Sequence, residues 1–361
     1  MIRSGKNSCP PKRPAAYRWV DRTPFYQAGL AGYSDEAMRM VARKHGCPFC
    51  VTEAMLDHFL IHGGKGLKAA ELSDGDHPIA GQLMGSHPTE IARGARILVG
   101  LGYDVVDINL ACPVKKIKKK CRGGHLLSVP DEAIDILKSV ADAVGSDVPM
   151  QVKMRRAYDD SPEAEASFFK IFDAAIELGY AAVTVHGRTV EQKYNGPSRW
   201  PFLTGLTDRY RSEIDRGFLI FGSGDVFSAE AIFRMIEQTG VCGASVARGC
   251  IGNPWIFREA KRRLAGEPVA PPTLEEQRQV LLEHFQLSVA CHGEKLAGRM
   301  MRKFGIKFSY HHPDPEAVKS RFIAVKTLED WHDVLESFYT CKMSSLSADA
   351  LRSNRPAGAM G

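Results

Sequence analysis

No apolar run in this 361-residue chain approaches the ~20 residues that a membrane-spanning helix requires. The opening stretch, 1–14, is basic and contains proline, and it lacks the apolar central segment of a secretory signal. The nine cysteines, from Cys9 to Cys341, show no framework of paired spacings. That excludes a disulfide-stapled scaffold and suits free thiols in a reducing compartment. Cys47-Pro48-Phe49-Cys50 matches a CxxC, but no second pair stands at zinc-ribbon distance, so burial at the start of a strand is the preferred reading. These absences predict a cytoplasmic protein with no membrane segment and no metal.

Composition is otherwise ordinary: 44% hydrophobic and 25% charged residues allow a large core and confine disorder to the ends. The net charge of +6 is modest, but it is clustered. Lys115, Lys116, Lys118, Lys119, Lys120 and Arg122 form one dense run, and such clustering draws a polyanion.

What the chain does have is a rhythm. Candidate strands at 25–31, 49–53, 79–84, 105–109, 150–153, 182–186, 218–222 and 244–247 alternate with segments carrying apolar residues at three- and four-residue intervals, at 35–45, 88–101, 131–144, 163–178 and 228–237. Eight alternations predict a parallel (β/α)8 TIM barrel with its site at the carboxyl ends of the strands. The rival, an open doubly wound sheet, is weakened because no GxGxxG turn follows the first strand. Four stretches are expected: a basic flexible arm over 1–22, the barrel over 23–266, a helical unit over 273–340 after the stiff linker 266–272, and a small, polar, disordered tail over 341–361. Thr273 and Glu276 have the spacing of a capping box that starts the helical unit.

The strand ends carry the chemistry. The apolar run 105–108 stops at Asn109, Cys112 and Pro113, and the basic run follows at once. Polar residues appear where a buried parallel strand emerges, so Cys112 is placed at the mouth of a pocket. The other ends supply Glu53, Gln82, Lys153, His186 with Arg188, Gly224 with Asp225, and Arg248 with Gly249. Ser223-Gly224-Asp225 and Ala247-Arg248-Gly249 follow the last two strands, where barrels commonly bind phosphate through backbone N–H groups. Arg248 adds a bidentate donor. In the helical unit, Arg299, Arg302, Lys303 and Lys307 are expected on one face, and Met300, Met301, Phe304 and Phe308 on another.

Several motifs then combine: Ala31-Gly32-Tyr33-Ser34-Asp35, Thr52-Glu53-Ala54-Met55, Gln82-Leu83-Met84-Gly85-Ser86, Asn109 through Lys116, Val152-Lys153-Met154-Arg155, His186-Gly187-Arg188-Thr189, and Pro254-Trp255-Ile256-Phe257. Together they resemble the tRNA-dihydrouridine synthases, flavoproteins that reduce particular uridines of transfer RNA. The resemblance implies FMN at the barrel mouth, its phosphate held by Ser223, Gly224, Asp225, Ala247, Arg248 and Gly249. Its ring would be contacted by Gly29, Leu30, Ala31, Gln82, Lys153 and His186. It also implies NADPH (or NADH) as reductant, hydride delivery to carbon 6 of uracil and protonation of carbon 5 by Cys112. Asn109 and Arg188 would orient the base, while Lys115, Lys116, Lys118, Arg299, Arg302 and Lys303 would contact the RNA. The implied partners are tRNA and NADPH, with the protein a monomer away from membranes. Two other readings stay open: an FMN barrel acting on a free pyrimidine, and an RNA-binding barrel without catalysis.

Overall fold

The computed structural model describes residues 13–114 and 120–340. Lys115, Lys116, Lys118 and the tail over 341–361 lie outside the described residues. Nine parallel strands are present among them: β1 (Phe25–Gln27), β2 (Cys50–Val51), β3 (Met55–Leu56), β4 (Ile79–Met84), β5 (Val105–Leu110), β6 (Met150–Arg155), β7 (Ala182–His186), β8 (Leu219–Ser223) and β9 (Gly243–Val246). β1 pairs with both β2 and β9, and β2 pairs with β4, so eight strands close into the expected TIM barrel. The ninth, β3, only extends the end of β4, pairing Met55 with Leu83 and Leu56 with Met84.

Strand parity builds the barrel in layers. On β5, Val106, Ile108 and Leu110 join the core beneath the outer helices, and Val105 joins a separate interior cluster with Ala80, Ala182, Leu219 and Phe221. Asp107 and Asn109 continue that interior face upward, and the apolar plug therefore gives way to a polar floor below the strand ends. The covering helices start at side-chain caps: Asp35 accepts from the Met38 N–H, Ser161 from Ala164 and Ser228 from Ala231.

The flexible arm expected over 1–22 is corrected from Arg13 onward. Ala15–Asp21 forms a 3-10 helix that closes the amino-terminal end of the barrel. Tyr17 is fully buried, and its hydroxyl donates to Gln151 Oε1 at 2.8 Å. Trp19 stacks on Phe49 and Phe221 with centroids 5.3 and 5.8 Å apart. The apolar rings of this segment cover an end of the barrel that the strands leave open, and that burial outweighs the freedom suggested by its arginines.

After the barrel come helices Leu274–His292, Glu294–Phe308, Pro315–Ala324 and Leu328–Phe338. The Thr273–Glu276 capping box forms in both directions. Helix Glu294–Phe308 runs unbroken through Gly305, where a Cβ would lie 2.4 Å from the Phe322 ring, so glycine permits close helix packing there. The helical unit docks on helix Glu36–Lys44 through Lys44–Glu283 at 2.6 Å and, at its N-cap, through His292–Asp35 at 2.8 Å. Trp255, fully buried, packs edge-on against His45, Phe308 and His311 at the junction. No helix among the described residues is long and apolar enough to cross a membrane.

Candidate active site

A cavity of about 790 Å3 opens at the carboxyl ends of the strands. All twelve residues expected to hold a cofactor line it: Gly29, Leu30, Ala31, Gln82, Lys153, His186, Ser223, Gly224, Asp225, Ala247, Arg248 and Gly249. Asn109 and Cys112 line it too.

The floor is a hydrogen-bonded row. Gln82 Nε2 donates to Asp107 Oδ2 at 2.7 Å, and Asn109 Nδ2 donates to Gln82 Oε1 at 2.7 Å. Asn109 Oδ1 accepts from the backbone N–H groups of Ala111 and Cys112 at 3.0 and 3.1 Å. Lys153 reaches Ser223 Oγ at 3.4 Å. Burial raises the Asp107 carboxyl to about 7 despite its bond from Gln82 and the nearby Lys153 ammonium. Burial also lowers Lys153 to about 8, against the pull of Asp107.

His186 is held neutral. Burial first, then the cations Arg155, Lys153, Arg188 and Arg248, push it down to about 2. Its Nδ1 faces the Arg188 N–H at 3.1 Å and therefore accepts, leaving the proton on Nε2.

At one end Asp225 organises the loops after β8 and β9. Its carboxylate accepts from Arg188 at 2.8 Å and from the Ser198 N–H at 2.7 Å, with Arg248 at 3.5 Å. Gly224 has φ 108°, and a Cβ there would sit 2.3 Å from Ser198 Oγ. The guanidinium of Arg248 lies 4.6 Å from the Tyr194 ring centroid and 5.1 Å from that of Phe227.

Sequence reasoning gave no role to Arg155, Tyr194, Phe227, Tyr310 or His311, all of which line the cavity. Arg155 donates to the carbonyls of Ala111, Thr189 and Lys193 at 2.8, 2.9 and 2.7 Å, tying the Cys112 loop to the loop after β7. Its two-residue spacing from Lys153 on β6 was the available signal. Lys307, Tyr310 and His311 bring the helical unit into the cavity wall.

Other expected residues lie elsewhere. Arg188 is buried behind the cavity, donating to the Gly196 carbonyl as well as to Asp225. Arg299 and Arg302 are on helix Glu294–Phe308, away from the cavity. Lys303 donates to the Gly32 carbonyl and sits 4.6 Å from the Tyr33 ring centroid, so it clasps the loop after β1. Cys47 and Cys50 are buried with their sulfurs 3.9 Å apart, and no group of three metal-ligating side chains occurs among the described residues.

Among solved structures, histamine dehydrogenase from Rhizobium sp. 4-9 shares the fold, with a TM-score of 0.50 at 13% identity. The match covers 73% of this chain and 49% of that one, so the chain spans about half of that protein's length. In sequence, the chain is 29% identical over 332 residues to tRNA-dihydrouridine synthase B of Pseudomonas putida, covering 91% of this chain and 95% of that protein. It is 32% identical over 280 residues to tRNA-dihydrouridine synthase B of Pseudomonas aeruginosa, covering 76% and 80%. The family model for dihydrouridine synthase matches residues 26–342. With that match running from the first barrel strand through the helical unit, the chain belongs to the dihydrouridine synthase family.

Proposed function

We propose that the protein reduces uridines in tRNA to 5,6-dihydrouridine, using FMN held in the cavity and NADPH as reductant. The observation that carries this reading is a single cavity joining the Cys112 thiol, the amide and ammonium of Gln82 and Lys153, and the glycine loops beside Arg248. Its volume, about 790 Å3, suits a cofactor-sized ligand. The residues fit a flavin phosphate: Gly224 and Gly249, whose lack of a side chain lets their loops pack against Ser198 and Val226, line the cavity, and Arg248 supplies charge there. When bound, FMN supplies the hydride that saturates the 5,6 double bond of the base.

The chain supplies the rest. Lys153 favours negative charge in whatever lies over the floor. Asn109 caps the backbone at Ala111 and Cys112 while Arg155 grips the Ala111 carbonyl, so the loop is held from both sides. From that loop the Cys112 thiol gives its proton to carbon 5 of the base. Neutral His186 can donate through Nε2 and orients the base without becoming an acid itself. Arg188 keeps the phosphate loop in place through Asp225.

RNA, and not a free pyrimidine, is favoured by the rim. Four of the nine exposed large apolar side chains described, Val114, Tyr194, Phe227 and Tyr310, line this cavity. Aromatic faces beside cations suit bases taken out of a stack. Arg299 and Arg302, with the run containing Lys115, Lys116 and Lys118, are assigned to RNA phosphates, which makes binding salt-dependent.

The test is anaerobic. The purified protein is reduced with NADPH, tRNA lacking modifications is added, and the visible flavin bands are followed. Bleaching that reverses with tRNA but not with free uracil supports the proposal. Reversal with free uracil would move the substrate to small pyrimidines, and a colourless protein that binds no FMN would overturn the redox reading.

A further inference from the structure

Asp107 is buried below the cavity floor, 1% exposed, and touches neither the cavity nor Cys112. From the geometry we infer that it is a positioning residue: it fixes the polarity of a hydrogen-bond relay through Gln82 and Asn109 that holds the Cys112 loop. This rests on the reading of Cys112 as the proton donor.

A side-chain amide can point either way, because one end donates and the other accepts. The two ends of this relay cannot. Above about pH 7 Asp107 is ionised and only accepts, and the backbone N–H groups of Ala111 and Cys112 only donate. Between them stand two amides. Asp107 takes the Gln82 Nε2–H at 2.7 Å, which turns Gln82 Oε1 toward Asn109. That oxygen takes the Asn109 Nδ2–H at 2.7 Å, which turns Asn109 Oδ1 toward the Cys112 loop. There it accepts from Ala111 and Cys112 at 3.0 and 3.1 Å. Reversing either amide sets oxygen against oxygen at one contact and N–H against N–H at another, so the two ends agree on one arrangement. The neighbours are fixed by the sheet: Gln82 stands beside Asp107 in the β4–β5 register. The bond to the charged end is the stronger kind, so most of the directional bias comes from Asp107.

The test is a charge swap along β5. Asn109→Asp keeps an acceptor for the Ala111 and Cys112 N–H groups, but it leaves two carboxylates competing for the one amide donor of Gln82. Asp107→Asn in the same chain removes the competition. The amide introduced at position 107 can donate to Gln82 Oε1, and Gln82 Nε2 can donate to the carboxylate introduced at position 109, reversing the relay while keeping its carboxylate count. The readout is the alkylation rate of Cys112 by iodoacetamide at about pH 8, where Asp107 is ionised, followed by peptide mapping on the purified protein. Single-turnover uridine reduction is measured in parallel, and thermal melting checks the fold.

Asn109→Asp alone is expected to shift the alkylation rate by about tenfold or more, and Asp107→Asn alone by a smaller factor. The double variant is expected to return to within about threefold of the wild-type rate, a coupling that independent sites do not show. Effects that simply multiply, with the double variant no closer to wild type than Asn109→Asp, overturn the relay. If the wild-type protein reduces no uridine, the functional reading fails, but the alkylation cycle still decides whether Asp107 positions Cys112.

Discussion

Acidification should loosen the helical unit through one buried histidine. His284, on helix Leu274–His292, is 2% exposed, and neither ring nitrogen has a protein partner among the described residues. Its ring lies 4.3 Å from the Phe304 centroid and 6.2 Å from that of Phe308. Burial lowers it from 6.5 to about 4, with Asp35 opposing weakly. The folded state resists protonation, so the stability this group permits is complete above pH 6.5, begins to fall below it, and reaches its full loss below about pH 4. Each unit of displacement is worth about 1.4 kcal/mol, so the full loss is about 3 kcal/mol, of which about 2 appears between pH 7 and pH 5. His284→Leu removes the titrating group and keeps an apolar ring neighbour. Urea denaturation of both proteins at pH 7 and pH 5 isolates the histidine from every other titration. The variant should be no less stable at pH 7, and on going to pH 5 it should lose about 2 kcal/mol less than the wild type. Equal losses in the two proteins would refute the reasoning. The effect reaches the cavity because helix Glu294–Phe308, which packs on His284, carries Lys307 into its wall.

Gly224→Ala places a Cβ 2.3 Å from Ser198 Oγ at a φ of 108°. Strain of about 1–3 kcal/mol should weaken FMN retention by about 5- to 150-fold, read as flavin absorbance per protein. Gly205→Ala, where no atom stands within 4 Å of the added carbon, should retain it. Arg302→Glu should raise the KM for tRNA and reduce its salt dependence without changing flavin content. Lys303→Glu should lower flavin content as well, because Lys303 holds the Gly32 carbonyl beside the cavity; identical behaviour of the two variants would count against that distinction. Tyr17→Ala should cost about 3–5 kcal/mol in denaturant melts. Tyr17→Phe, which loses only the bond to Gln151, should cost about 1 kcal/mol.

The barrel and much of the lining of its cavity were legible because a buried parallel strand announces itself as an apolar run ending in polar residues. Val105 through Ile108 followed by Asn109 and Cys112 is such a run, and its strand and cavity positions follow. β3 was not legible: two residues, Met55 and Leu56, show no period. The 3-10 helix Ala15–Asp21 was hidden because Arg13, Arg18 and Arg22 dominate a segment whose Tyr17 and Trp19 decide its fate. Helix Trp200–Arg209 escaped because Pro201, just inside its start, and the turn-rich residues before it read as loop. Lys303 illustrates a different limit. Its charge and helical face suggested RNA, but only the tertiary arrangement reveals the Gly32 carbonyl that it binds. Tyr310 and His311 reach the cavity for the same reason, through docking that no local pattern encodes.

The 3-10 helix that closes the barrel also sets an order of events during synthesis. Tyr17 and Trp19 leave the ribosome before the residues that bury them. Phe221 follows Trp19 by roughly 200 residues, on the order of ten to forty seconds at about 5–20 residues per second. Through that interval the two rings have no barrel end to cover, so they remain open to chaperones and proteases. The stacking of Trp19 on both Phe49 and Phe221 needs strands from opposite ends of the barrel sequence. Quenching or shifting of Trp19 emission therefore marks the moment at which the ring of strands closes.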